Sequence, residues 1–110
     1  MRTLRLVNLH CNKTDDTSKL DETLLSVDNG KFHGFGPVAM RNESDWDINA
    51  NIQFNEKAII GLFDEDLIRN LSNTKHFRTH IVVENQVSIG AKKVNFATNT
   101  ANYDLTYEII

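Results

Sequence analysis

The sequence predicts an all-β fold in which antiparallel strands pack as a sandwich or barrel. Apolar and β-branched residues alternate with polar residues in many short segments. These segments recur about every 10 residues, with turn-forming residues between them. Apolar residues at helical spacing are hard to find in any long window. Counting the segments gives about eight strands.

The composition is that of one globular domain spanning residues 1–110. Apolar residues make up 40% and charged residues 25% of the chain, which is the ordinary mixture. A net charge of −3 and the lack of a basic run argue against nucleic acid as a partner.

The chain offers neither a transmembrane segment nor an export signal. No stretch approaches the roughly 20 apolar residues that span a bilayer, and the first residues lack the apolar core of a signal peptide. Cys11 is the only cysteine, so an internal disulfide is excluded. We therefore expect a cytoplasmic protein that is stable in a reducing compartment.

The first strand is predicted from about Thr3 to Cys11, with Leu4 and Leu6 on one face and Leu9 on the other. A polar loop follows. The second strand, Thr23–Asp28, ends at Asn29-Gly30, a dipeptide that favours a tight hairpin because both residues tolerate positive φ.

The return strand begins near Lys31 and continues to Met40. Gly34, Gly36 and Pro37 interrupt it. Because glycine weakens a strand ladder and proline cannot donate to it, the pattern predicts a bulge or an edge position.

The strongest alternation runs from Trp46 to Phe54 and predicts a strand with one polar face. Asn55-Glu56 forms a turn into Lys57–Phe63, whose continuous apolar character is typical of a central strand. Further strands are predicted at Phe77–Val83, around Val94–Phe96 and at Tyr103–Ile109.

One segment also has a helical interpretation. Between residues 64 and 73, Leu67, Ile68 and Leu71 lie at helical spacing after a carboxylate-rich start. A short helix would project the carboxylates of this segment differently from a loop.

Two acidic loops are the main candidate for a functional site. Asp15, Asp16 and Asp21 lie between the first two strands, and Asp64 and Asp66 follow the central strand. Ca²⁺ requires several oxygen ligands converging from flexible loops, which two acidic loops at one end could supply. Carboxylates held together repel, and a bound cation relieves that repulsion. The alternative is that these residues are solvated turn formers.

The order of these features resembles a C2 domain. In that family a first strand leads into an Asp-bearing loop and a second strand, as in residues 18–27 here. A later apolar strand ends in Asp-x-Asp, as in Phe63-Asp64-Glu65-Asp66. Trp46-Asp47-Ile48-Asn49 and Phe54 resemble the strand before that loop. The chain is also similar to small stand-alone bacterial proteins of unassigned function.

The C2 resemblance implies an antiparallel eight-stranded β-sandwich, a Greek key, that binds Ca²⁺ at one tip and docks on phospholipid through the bound ions. The ligands carried over by position are Asp15 or Asp16, Asp21, Asp64 and Asp66. The family's further Asp is replaced by Asn70 or Asn73, and the Pro-Tyr after Asp21 is absent. A single weak Ca²⁺ site is therefore expected.

Phe32, Phe35 and Pro37 are candidates for an exposed apolar surface that binds a protein partner or lipid. Strand irregularity explains them equally well. They support the alternative function of a metal-independent protein–protein interaction module or subunit of a larger assembly, and carbohydrate binding on a jelly-roll-like face is a third option. No serine-nucleophile motif, phosphate-binding glycine loop or zinc-ligand spacing is present, so an enzyme is not expected.

Overall fold

The computed structural model describes residues 1–14, 21–64, 75–83, 90–98 and 101–110, with only the backbone described for residues 64 and 75–78. The described residues form eight β-strands. In chain order these are β1 (Arg2–Lys13), β2 (Asp21–Asp28), β3 (Phe32–Met40), β4 (Asp45–Phe54), β5 (Lys57–Asp64), β6 (Lys75–Val83), β7 (Lys92–Ala97) and β8 (Asn102–Ile109).

The strands form two four-stranded sheets. Sheet A has the order β4-β1-β8-β7, and sheet B has the order β3-β2-β5-β6. Every neighbouring pair is antiparallel. The predicted antiparallel eight-stranded sandwich is therefore confirmed, as are the edge position of β3 and the central position of β5.

The core lies between the two sheets and is built from alternate residues of each strand. On β8 the alternation is regular, and Tyr103, Leu105, Tyr107 and Ile109 are all buried. The opposing sheet contributes residues of the same kind from its two central strands. These are Leu25, Val27, Ala58, Ile60 and Leu62.

The predicted facing of β1 is wrong in its second half. Leu9 and Cys11 are fully buried together with Leu4 and Leu6. The register of β1 with both neighbours shifts between Leu6 and Asn8, which moves the inward side chains from even to odd positions. The sequence carried no proline or glycine there to mark the shift.

The irregularity predicted in β3 is confirmed. Thr23 pairs with Val38 and Leu25 pairs with Phe35, so the register of β2 with β3 shifts at the intervening residues. Gly36 lies there with φ of +95°, and a Cβ at this position would be 2.8 Å from the carbonyl oxygen of Thr23. Only glycine fits this close approach of two backbones.

Both predicted tight turns are also present. Gly30 in the β2–β3 turn has φ of +103°, and Glu56 in the β4–β5 turn has φ of 63°. In the described part of the chain, no helix is long and apolar enough to cross a membrane.

Candidate functional site

One end of the sandwich brings together the two acidic segments of the sequence. Thr23 pairs with Asp64, so β5 ends beside the start of β2. Asp21, the first residue of β2, pairs with Met40, and the β3–β4 turn of residues 41–44 follows. We call this end the acidic tip, defined by Asp21, Asp64 and residues 41–44. In the sequence, residues 15–20 precede β2 and residues 65–74 follow β5.

Asp21 lies inside the protein at the base of the acidic tip. Its relative exposure is 0%, as is that of Tyr103, whose hydroxyl donates a hydrogen bond to Oδ2 of Asp21. Burial, followed by the hydrogen bond to Asp21, holds the pKa of Tyr103 far above its ordinary value. The solvated-turn interpretation is therefore wrong for Asp21, whose carboxylate is buried and held by a hydroxyl from the opposite sheet.

Cys11 is fully buried as well, and burial raises the pKa of its thiol. Because the thiolate is the reactive form of cysteine, a buried thiol with a raised pKa is a packing residue.

The structure describes less of the other predicted Ca²⁺ ligands than of Asp21. The backbone of Asp64 continues β5 and pairs with both Thr23 and Lys75. Asp15, Asp16 and Asp66 lie outside the described residues, as does most of the segment with the alternative helical interpretation. Among the described residues, no group of three or more His, Cys, Asp or Glu side chains could hold a metal ion. The structure thus brings the backbones of Asp21 and Asp64 together, and the full ligand set stays a prediction.

A histidine between two carboxylates borders the acidic tip. His10 Nδ1 lies 2.8 Å from Asp45 Oδ1, and His10 Nε2 lies 3.3 Å from Glu43 Oε2. The hydrogen bond with Asp45 is the main reason that the pKa of His10 is raised. The backbone N–H of Glu43 also donates to the carbonyl of Cys11 at 2.7 Å, which ties the 41–44 turn to β1.

Sequence reasoning missed this cluster. His10 and Asp45 are cross-strand partners 35 residues apart, so only the register of β1 with β4 brings them together. The alternation in Trp46–Phe54 identified the strand but not its partner.

A second polar cluster was also missed. Asp104 accepts hydrogen bonds from Asn12 Nδ2 at 2.9 Å and Asn95 Nδ2 at 2.8 Å. These bonds, that of Asn12 first, lower the pKa of Asp104. The cluster ties three neighbouring strands of sheet A, β1, β8 and β7, near the acidic tip.

The three predicted partner-binding residues lie on the edge strand β3 but not on one face. Phe32 is 66% exposed and Pro37 is exposed. Phe35 is half-buried and packs against the core. Phe32 pairs with Asp28, which places it at the end of the sandwich opposite the acidic tip. Phe32 and Phe35 therefore do not form one binding surface, and each is a candidate partner-binding residue by itself.

The fold is similar to that of several solved C2 domain structures. A C2 domain of plant extended synaptotagmin 1 matches with a TM-score of 0.66 and 6% identity, over 98% of this chain and 92% of that chain. A second structure, described as that of a C2 domain, matches with a TM-score of 0.59 and 14% identity, over 99% of this chain and 98% of that chain.

Human GIVD cytosolic phospholipase A2 matches with a TM-score of 0.61 and 11% identity, over 98% of this chain but 16% of that chain. No protein-family model and no curated protein matches the sequence. At these identities the likeness concerns the fold alone. The chain has a C2-like fold.

Proposed function

We propose that this protein is a non-enzymatic C2-like module whose acidic tip binds Ca²⁺ and recognises a lipid or protein partner. The observation that carries the proposal is the register of β2 with β5, which places Asp21 and Asp64 at the same end of a C2-like sandwich.

The spacing of the two backbones suits a shared ion. Neighbouring strands lie about 4.8 Å apart and rise about 3.3 Å per residue, so the Cα atoms of Asp21 and Asp64 are separated by about 8 Å. Carboxylates on backbones at that separation can approach one ion. Tyr103 restricts the orientation of the Asp21 carboxylate.

The proposed ligand set combines residues from both acidic segments. Asp21 and Asp64 stand at the strand ends, and Asp15, Asp16 and Asp66 belong to the connections beside them. Bound Ca²⁺ would supply a positive charge that bridges these carboxylates to the phosphate of a lipid or to a carboxylate of a protein. Without a cation, the acidic tip would repel such groups.

Calorimetric titration of the chelator-treated protein with Ca²⁺ tests metal binding. We expect saturable heat for the wild type and its loss in Asp64→Asn/Asp66→Asn. The matched control is Asp28→Asn, at the other end of β2, where Asp28 Oδ1 accepts a bond from the N–H of Gly30 that asparagine can also accept. No heat at millimolar Ca²⁺, or equal heat in both variants, would remove the metal from the proposal.

Sedimentation with phosphatidylserine-containing vesicles tests the lipid partner. The wild type should pellet with the vesicles in Ca²⁺ and stay in the supernatant with chelator. Binding of Ca²⁺ without pelleting would leave a protein partner as the ligand of the loaded tip.

A second candidate function is metal-independent protein binding by the outer face of sheet B. Cross-strand pairing connects Phe32 to Asp28, Asp28 to Ile59 and Ile59 to Ile81. Phe32 is 66% and Ile81 is 53% exposed, and the exposed Asp28 and the half-buried Ile59 lie between them on the same face. Apolar residues aligned on one face are typical of protein contacts.

Affinity capture in chelator tests this second function. Phe32→Ser/Ile81→Ser should lose a partner that the wild type retains, and Lys93→Ser, on sheet A, should retain it. Capture of no partner in chelator would reject this function.

A further inference from the structure

A groove of about 690 Å³ opens on the side of the sandwich where the edge strands β3 and β4 approach each other. It lies at the end opposite the acidic tip, because its lining includes Thr3 near the start of β1, Gln53 near the end of β4 and Asn29 in the β2–β3 turn. Its volume falls within the range of about 300–1,000 Å³ that is usual for small-ligand sites.

Asn29 fixes one end of the groove. Its Nδ2 donates to the backbone carbonyl of Gln53 at 2.7 Å, and its Oδ1 accepts from the backbone N–H of Lys31 at 3.1 Å. Because the amide oxygen can only accept, His33 Nε2, 3.3 Å away, must be the donor. In neutral His33 this leaves Nδ1 as an acceptor.

The β4 side of the groove is lined by Ile52, Asn51, Gln53 and Thr3. Ile52 is buried, and strand alternation places the other three, which carry uncharged polar side chains, on the outer face of sheet A. The side chains of Asn51 and Gln53 are exposed, and Thr3 beside them is half-buried. Within the described part of the chain, none of these three side chains takes part in a hydrogen bond. Together they offer amide donors, amide acceptors and a hydroxyl to a ligand.

Phe35 supplies an apolar surface on the β3 side of the groove. Its ring is half-buried and packs against the core, so its position is fixed. No described lining residue carries a fixed charge. Arg5, the cross-strand partner of Asn51, is paired with Glu108 at 3.5 Å.

These features disfavour two other ligand classes. A phosphate group needs cationic partners, which the described lining lacks. A peptide added as an extra strand needs a regular free edge, whereas β4 has positive φ at Asn49 with a register shift against β1, and β3 contains Pro37, which has no N–H to donate.

We propose that this groove is a binding site for a neutral saccharide. Sugar hydroxyls both donate and accept hydrogen bonds, which matches the amides of Asn51 and Gln53 and the hydroxyl of Thr3. The apolar face of a sugar ring matches the ring of Phe35. The site is separate from the acidic tip and requires no metal.

NMR titration of isotope-labelled protein in chelator tests the proposal, because the side-chain amides of Asn51 and Gln53 give signals of their own. The probes are maltohexaose, cellohexaose and chitohexaose, each added to about 10 mM, which detects dissociation constants in the millimolar range. We expect at least one probe to shift the amide signals of Asn51, Gln53 and Asn29 in a saturable way.

Asn51→Ala/Gln53→Ala should lower the affinity for that probe at least tenfold, while the rest of the spectrum shows an intact fold. The control is Asn55→Ala, an exposed amide in the neighbouring turn that does not line the groove, and it should bind like the wild type. No shift with any probe, shifts centred elsewhere, or unchanged affinity in the double variant would overturn the proposal.

Discussion

The hydroxyl of Tyr103 on β8 donates a hydrogen bond to the carboxylate of Asp21 on β2, and both side chains are fully buried. The bond joins sheet A to sheet B directly beneath the acidic tip. A buried carboxylate is costly unless hydrogen bonds compensate for lost solvation. Tyr103 thus stabilises the fold and also orients the one proposed Ca²⁺ ligand whose side chain is described.

We expect Tyr103→Phe to destabilise the protein by about 2–3 kcal/mol, because it removes a hydrogen bond to the buried carboxyl group of Asp21 and leaves that group less satisfied. Urea unfolding measures the change. Tyr107→Phe is the matched control, since the Tyr107 hydroxyl meets the neutral partner His80 at 3.2 Å, and it should cost about 1 kcal/mol or less. Equal losses in the two variants would contradict the special role of the Asp21 bond.

The raised pKa of Tyr103 predicts a loss of stability in alkali. Its folded pKa lies above its ordinary value of 10.0, so its contribution to stability is complete below about pH 10 and is lost as the pH rises further. The free energy of unfolding should fall by up to about 1.4 kcal/mol per pH unit from this group. In Tyr103→Phe, the free energy of unfolding should decrease less steeply with pH than in the wild type. Some decrease should remain, because the pKa of Tyr107 is also raised by burial. If the free energy of unfolding of Tyr103→Phe decreases with pH as steeply as that of the wild type, Tyr103 is not the group responsible.

His10 should stabilise the protein more at acidic than at neutral pH. Its hydrogen bond with Asp45 raises its folded pKa above 6.5, so its contribution is present in full below about pH 6.5 and is lost as the pH rises through the folded pKa. The pair is solvent-accessible, so the effect should stay below about 1 kcal/mol.

Burial lowers the pKa of His80, which produces the opposite trend in the whole protein. The measurement is therefore the difference in unfolding free energy between the wild type and His10→Gln at about pH 5.5 and about pH 8. The difference should be larger at the acidic pH, and a difference independent of pH would contradict the prediction.

Gly61→Ala should destabilise the protein by about 1–3 kcal/mol through overpacking. A Cβ at Gly61 would lie 2.8 Å from Oγ of Ser26 and 2.9 Å from Cε2 of Phe63. Gly34→Ala is the control, because a Cβ there has Cε1 of Phe32 at an ordinary 3.5 Å, and its effect should stay within about 0.5 kcal/mol. Thermal or chemical unfolding compares the two, and an equal tolerance of both alanines would disprove the close packing at Gly61.

Local patterns were sufficient to predict most of the fold. The alternation from Trp46 to Phe54 and the Asn29-Gly30 turn each depend on neighbouring residues, and the structure reproduces both. The inward facing of Leu9 could not be predicted, because the register shift that causes it depends on how β1 pairs with β4 and β8.

The sequence pattern also predicted that Asp21 and Asp64 lie at the same end of the fold. The register of β2 with β5 agrees with this for their backbones. The burial of Asp21 by Tyr103 was not anticipated, because the two residues are 82 positions apart in sequence. The contact between His10 and Asp45 could not be predicted from the sequence either, because it requires the pairing of distant strands. The same holds for the groove between β3 and β4, which requires the packing of distant strands.

A crystal structure grown with Ca²⁺ tests the central claim most directly. The proposal predicts an ion at the acidic tip with oxygens of Asp21, Asp64 and Asp66, and of Asp15 or Asp16, at about 2.4 Å, and six or more oxygen ligands in all. An ordered tip with no ion at saturating Ca²⁺, or with these carboxylates paired to basic side chains, would contradict it.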